Sequence, residues 1–449
     1  MIKHAHPKGL YFLFTIEMWE RFSYYGMRAL LVLYMVKYLL FSTEKAGNIY
    51  GLYTGLVYLT PLIGGYIADR YLGQKICIII GAILMMIGHF AVAIPDLPFF
   101  YSALGLLIVG SGFFKPNIST MVGQLYEKND PRRDGGFTIF YMGINLGAFL
   151  SPLICGTLGE KVGFHYGFAA AGVGMLIGLL VFMWGQNKFI KHVGNTPQYC
   201  HCEEGQSPDA AIYKTKNGNL IYNDIKETCE LPLTKDEKQR IAVIFIMMFF
   251  TIFFWASFEQ AGSSLTLFAD RSTDRLIPFL NWEFPVSYFQ SVNPLLIILL
   301  APLFSKMWLD LADINKNPSL PVKFSLGLFL VAFGFVLMVI ASAFAGTGKV
   351  SFLWLIGVYL FHTLGELCIS PVGLSMVTKL APLKFASLLM GIWFLSSFFA
   401  NIVAGFFAGS YDSLKTTEFF IIPAVITGIS AIIILFLTKI IKKWMHGVE

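Results

Sequence analysis

The chain has 449 residues, of which 56% are hydrophobic and only 13% charged, with a formal net charge of +6. A soluble domain carries about 25% charged residues, so the composition excludes a soluble enzyme or binding module and points to an integral membrane protein. The basic residues sit between apolar runs and form no single patch, which argues against nucleic acid as a partner; the lipid bilayer is the expected one.

The opening segment Met1-Ile-Lys-His-Ala-His-Pro-Lys8 is too short ahead of a long apolar run to be a cleavable signal, so the first helix is expected to remain. That run extends from about Leu10 to Phe41, longer than the ~20 residues a helix needs to cross a bilayer. Its middle nevertheless reads Glu17-Met-Trp-Glu20-Arg21-Phe-Ser-Tyr24-Tyr25-Gly26-Met-Arg28. At about 100° per residue, Glu17, Glu20, Arg21, Tyr24, Tyr25 and Arg28 share an arc of roughly 140°. A polar stripe on an otherwise lipid-compatible helix faces protein or a watery cavity.

Further apolar segments follow at about 47–67, 76–95, 99–119, 137–157 and 167–186. After a polar stretch come six more, at about 239–261, 286–308, 322–344, 352–371, 385–408 and 419–440. This predicts an all-α membrane protein of twelve transmembrane helices: residues 1–186 as one six-helix bundle, 187–237 as a polar linker and 238–449 as a second bundle. Asn217-Gly218, flanked by β-formers within 211–223, predicts a small hairpin in the linker. Cys200, His201, Cys202 and Cys229 lie in the linker too, without the usual zinc spacing, whereas Cys77, Cys155 and Cys368 fall in apolar runs as small hydrophobes. Lys and Arg concentrate in one set of alternate short loops, including Arg70, Lys75, Arg132 and Arg133. The opposite loops carry only Lys45, Lys161, Arg271, Arg275, Lys349 and Lys415. The positive-inside rule then places both termini and the linker in the cytoplasm.

Between the second and third spans, Gly64-Gly-Tyr-Ile-Ala-Asp69-Arg70-Tyr-Leu-Gly73-Gln-Lys75 resembles the loop signature of the major facilitator superfamily. That resemblance implies two six-helix repeats with substrate bound between them at mid-membrane. The other deep ionisable residues are Lys115 in span four, Glu259 in span seven and Glu366 in span ten. In a facilitator fold spans one, four, seven and ten line one central cavity. Exposing Glu17, Glu20, Arg21, Arg28, Lys115, Glu259 and Glu366 to lipid at ~3 kcal/mol each would cost on the order of 20 kcal/mol. This exceeds a typical net stability of ~5–15 kcal/mol, so these groups must face one another, water or substrate. Cations predominate on the first half and carboxylates on the second, a polarity suited to a zwitterion.

Five motifs then point to a family. Glu17-x-x-Glu20-Arg21-Phe-x-Tyr24-Tyr25-Gly26 resembles the ExxERFxYYG signature of proton-dependent oligopeptide transporters, and Phe140-Tyr141-Met-Gly-Ile144-Asn145-Leu-Gly147 their FYxxINxG signature. Phe258-Glu259-Gln260, Gln290-Ser-Val-Asn293-Pro294 and Gly365-Glu366-Leu-x-x-Ser370-Pro371 match as well. The resemblance implies a proton-coupled symporter importing di- and tripeptides by alternating access, with protons as the coupling ion, no cofactor, no metal and a functional monomer. It implies that Arg28 and Lys115 receive the peptide carboxylate and Glu366 the amine. Tyr25, Tyr58, Asn145, Asn293 and Ser370 would contact the peptide, and Trp393 would wall a side-chain pocket. Glu17, Glu20 and Arg21 would form the coupling cluster, with Glu259 a second protonatable site.

Two features depart from the pattern. Bacterial members often carry two extra helices where this chain has its polar linker. Animal members have a histidine on the second span, absent from 47–67, which leaves coupling to carboxylates with His89 and His362 as minor candidates. Another cargo, such as an amino acid, nitrate or a peptide-like drug, is the alternative. The spans carry no metalloprotease, nucleophile-elbow or Walker motif, so an enzyme is not expected. A receptor would require a signalling module that the linker does not resemble.

Overall fold

Each apolar run forms one long helix, because a membrane-embedded backbone must satisfy its own hydrogen bonds. The structure, a computed structural model, describes residues 5–127, 130, 132–195, 233–346, 348–382 and 385–447. The first half comprises α1 (Lys8–Lys37), α2 (Thr43–Leu72), α3 (Gln74–Val92), α4 (Leu97–Gln124), α5 (Arg133–Thr157) and α6 (Phe164–Phe189). The second comprises α7 (Lys235–Phe258), α8 (Phe289–Asp313), α9 (Leu320–Ala345), α10 (Leu353–Leu380), α11 (Ala386–Gly409) and α12 (Thr416–Trp444). Eleven have the length and apolarity of a membrane span. The twelfth, α1, is 30 residues long and differs only through its embedded charges.

Most of these helices overrun the apolar segments that predict them, since their polar ends reach the headgroup region. Helix α7 starts with a capping box, Thr234 Oγ1 accepting from Glu237 N and Glu237 Oε2 accepting from Thr234 N, a device contributing about 1 kcal/mol. It continues beyond Phe258 through a 3-10 turn, Glu259–Gly262, into a short helix, Ser264–Ser272. The hairpin expected at 211–223 and the cluster of Cys200, His201, Cys202 and Cys229 lie outside the described residues.

An internal repeat shows in the backbone. Helix α2 ends in a π-helical turn, Ala68–Leu72, closed by Gly73, and α5 is followed by a like turn, Leu158–Val162, closed by Gly163. Gly73 N donates to Ala68 O at 2.8 Å, and Gly163 N to Leu158 O at 2.9 Å. Gly73 has a φ of 78°, which a residue with a Cβ adopts only under strain. The two turns join the second helix to the third and the fifth to the sixth, as expected of paired three-helix repeats.

The bundles meet through α2 against α11 and α5 against α8. Along the first seam, a Cβ on Gly51 would lie 2.6 Å from the Gly405 Cα, so these backbones approach at the distance small residues allow. At the end where α1 leads into α2, polar contacts seal the halves together. Lys37 Nζ lies 2.5 Å from Asp270 Oδ1. Asp412 accepts from Thr43 of the first half and, at 2.6 Å, from Arg271 Nη1 of its own half. Glu160 accepts from the backbone N–H groups of Val286 (2.7 Å) and Ser287 (2.8 Å). Burial pushes the Asp412 carboxyl up, but the hydrogen bonds from Thr43 and Arg271 outweigh it and hold it below the usual carboxylate range. Its bonds therefore persist at neutral pH.

Candidate functional site

The helical period brings Glu17, Glu20 and Arg21 onto one buried face of α1. They are 2%, 0% and 4% exposed, too little for water to carry their charge. Arg21 Nε lies 2.9 Å from Glu17 Oε1 and also pairs with Glu20. Lys115 of α4 interacts electrostatically with both carboxylates and with Arg21, its Nζ standing 3.9 Å from the Tyr58 ring centroid. With all four ionised the group is neutral. Glu17 Oε2 and Glu20 Oε1 have no hydrogen-bond partner among the described residues, so either carboxylate has an oxygen at which a proton can be carried. One such proton leaves an excess positive charge in a site closed to water, a change with a large electrostatic consequence.

A second polar group spans the two bundles. Arg28, two turns along α1 from Arg21, forms an ion pair with Glu259 of the 3-10 turn after α7, and its Nε donates to the Tyr50 hydroxyl at 2.6 Å. The third group is Glu366 of α10. Asn293 Nδ2 donates to its Oε2 at 2.8 Å and stands 3.0 Å from Thr363 Oγ1. Among the described residues no cation pairs with Glu366, although it is buried.

Between the bundles lies a cavity of about 230 Å³. Of the residues predicted to bind or couple, Tyr25, Arg28, Tyr58 and Asn145 of the first half line it, with Glu259, Asn293, Glu366 and Ser370 of the second. A second compartment of about 160 Å³ adjoins it, sharing Tyr58, Trp255, Glu259 and Ser370, and there Trp393 forms part of the wall. Glu17, Glu20, Arg21 and Lys115 do not line either space; the Lys115 ammonium stands over the ring of Tyr58, which does. Of the two histidines, His362 lines the cavity, whereas His89 is fully buried away from it on α3.

The expected polarity, cations on one wall and anions on the other, holds only in part. Arg28 is already neutralised by Glu259 of the opposite wall, because two opposite charges sealed from water are more stable together than apart. Among the described residues that line the cavity, Glu366 is the carboxyl without a cation partner. Sequence reasoning also passed over Tyr50, Trp255, Gln290 and Asn401 as site residues. Tyr50 and Asn401 had no signal, since both are polar positions on apolar helices whose orientation only packing decides. Gln290 lies inside the motif Gln290-Ser-Val-Asn293-Pro294, and Trp255 stands one helical turn before Glu259.

A profile described as the POT family matches residues 75–201 and 198–427. The chain is 40% identical to the Uncharacterized transporter YclF of Bacillus subtilis (strain 168), over 99% of this chain and 96% of that one. It is 35% identical to a Di-/tripeptide transporter of Lactococcus lactis subsp. cremoris, over 99% and 98%. Among solved structures, that of a peptide transporter POT in complex with sulfate superposes with a TM-score of 0.87 at 35% identity, covering 100% of this chain and 97% of the other.

Proposed function

The chain belongs to the POT family, and on that premise we propose that it carries di- and tripeptides across the membrane together with protons, by alternating access between its two six-helix bundles. The observation that carries this reading is the central cavity, walled by both bundles and holding a lone buried carboxylate, Glu366, across from an arginine already paired to a carboxylate. A peptide bound here places its amine at Glu366. Its carboxylate competes with Glu259 for Arg28, so protonating Glu259 releases Arg28 and favours peptide binding. Proton and peptide then bind cooperatively, since each stabilises the state the other requires. Lys115, over the Tyr58 ring, adds positive field and balances Glu17 and Glu20. Tyr25, Tyr58, Asn145, Asn293 and Ser370 supply hydrogen bonds along the peptide.

Residues 1–186 and 238–449 are the two moving bundles and 187–237 their linker. The functional unit on this reading is the monomer, with one cavity between its two bundles, and carrying a peptide requires neither cofactor nor bond-breaking chemistry. The Lys and Arg distribution places both termini and the linker in the cytoplasm. On that orientation the sealed end is the outer one, and the conformation is outward-closed.

Purified protein in liposomes is expected to accumulate labelled dialanine under an inward proton gradient, while unlabelled alanine and nitrate fail to compete. Competition by either would favour a different small zwitterion or anion as cargo. Topology is checked separately. A cysteine placed by Lys415→Cys is expected to react with a membrane-impermeant reagent added from outside; reaction only from inside would invert the orientation.

A further inference from the structure

One buried amide, Gln260, holds the break in α7 that carries Glu259. An interrupted membrane helix frees backbone groups that must find partners inside the protein. Gln260 is 0% exposed. Its Nε2 donates to the Ala256 carbonyl at 3.2 Å, one turn back, and to the Ala404 carbonyl of α11 at 3.1 Å. Its Oε1 accepts from Ser264 Oγ at 2.7 Å, at the start of the short helix Ser264–Ser272. The side chain thus spans the 3-10 turn Glu259–Gly262 from end to end and ties it to a neighbouring helix. Just after the turn, Ser263 leaves the helical region, with φ −132° and ψ −92°.

The anchor is itself fixed. Ala404 adjoins Gly405, whose Cα would lie 2.6 Å from a Cβ on Gly51, so this stretch of α11 is seated on α2 of the first bundle. The turn meets the first bundle as well. A Cβ on Gly262 would overlap the Tyr50 hydroxyl, the group that accepts from Arg28 Nε. Glu259, the residue before Gln260, is 5% exposed and pairs with Arg28 across this seam. The other ionisable groups that face Glu259 are Tyr24 and Tyr25 of α1, Tyr50 and Tyr58 of α2, Lys115 of α4, and Tyr359, His362 and Glu366 of α10. Among the described residues, Gln260 bonds only to uncharged groups, so it bears on proton binding through the placement of Glu259 and not through charge.

We propose that Gln260 is a positioning residue: it fixes the α7 break against α11 and so holds the Glu259 carboxylate in register with Arg28, where its charge state governs whether Arg28 is free for a peptide carboxylate. The inference rests on the peptide-transport reading and adds a residue to its coupling machinery.

Gln260→Met, similar in size but without the amide, tests it. Half-saturation of dialanine counterflow in liposomes is measured at an acidic and an alkaline pH, equal on both sides of the membrane. The unmodified protein is expected to need about 10-fold more dialanine at the alkaline pH, the low end for one hydrogen bond to a charged group, because ionised Glu259 then holds Arg28. Gln260→Met is expected to lower that ratio at least about twofold, the low end for one neutral hydrogen bond. In a Glu259→Gln background the same substitution is expected to leave the ratio unchanged, since no charge remains to be placed. A merely structural loss lowers the amount of active carrier in both backgrounds and the ratio in neither. An unchanged ratio in Gln260→Met, or an equal fall in both backgrounds, overturns the inference. Should Gln260→Met fail to fold, Ser264→Ala, which removes only the donor to Oε1, is expected to lower the ratio in the same direction, and a ratio kept by that variant overturns the inference. An unmodified protein without this pH dependence, or without dialanine transport, overturns the coupling reading and this inference with it, whereas a dependence kept by the variants overturns the inference alone.

Discussion

Glu20→Gln is expected to abolish accumulation of peptide against its gradient while exchange of internal for external peptide continues. Glu20 is fully buried, pairs with Arg21 and keeps one carboxylate oxygen without a partner. Glutamine has nearly the same shape as the protonated acid, so position 20 is fixed in its neutral state and, on the coupling role proposed for Glu20, no longer changes charge with the proton. A carrier that no longer changes charge with proton binding still exposes its site to either side but draws no work from the proton gradient. Uptake driven by the gradient should therefore fall to the level of equilibration, measured with labelled dialanine in liposomes with and without an imposed pH difference. A variant that still concentrates peptide would remove Glu20 from the coupling cluster, and Glu259 would become the first alternative.

Glu366→Gln is expected to erase the preference for a free amino terminus. The carboxylate is buried, hydrogen-bonded by Asn293 and unpaired by any described cation, so a peptide ammonium is the charge it lacks. A hydrogen bond to a charged group contributes roughly 1.5–3 kcal/mol, and each 1.4 kcal/mol is tenfold in affinity. Loss of the charge should weaken a free dipeptide by about 10- to 150-fold. An N-acetylated dipeptide should then compete nearly as well as the unmodified one. Glutamine retains an oxygen for Asn293, so the local fold is expected to survive. Lys115→Ala serves as the comparison, because its ammonium stands outside the cavity; it is expected to keep the preference for a free amine. If both variants lose that preference, or neither does, the charges act in gating and not in orienting the peptide.

The architecture was legible because its causes are local. A bilayer leaves a backbone little choice but helix, so runs of apolar residues reported the number, type and order of the spans. Embedded charges are too costly to face lipid, so Glu17, Glu20, Arg21, Arg28, Glu259 and Glu366 could each be assigned to the interior before any packing was known. Helix ends were less legible. The charged and polar turns that carry α2 to Leu72 and the α7 segment to Ser272 leave the apolar run, and a hydropathy pattern stops where they begin.

Pairing could not be read from the chain. Arg28 and Glu259 are separated by 231 positions, and nothing in composition distinguishes a bridged pair from two free charges on opposite walls. The outcome depends on whether the bundles close at that level, which tight packing of Gly47 and Gly51 against Gly405 permits. Packing of α4 on α2 within the first bundle sets the Lys115 ammonium over the Tyr58 ring, and no described α4 residue lines either space, so the expected share of span four in the lining is not met. The sequence by itself thus determined which residues leave the lipid, because solvation is a property of each side chain and its immediate neighbours. The tertiary structure alone decided which of those residues neutralise one another and which, like Glu366, have no cation partner among the described residues, because that depends on distances between helices far apart in the chain.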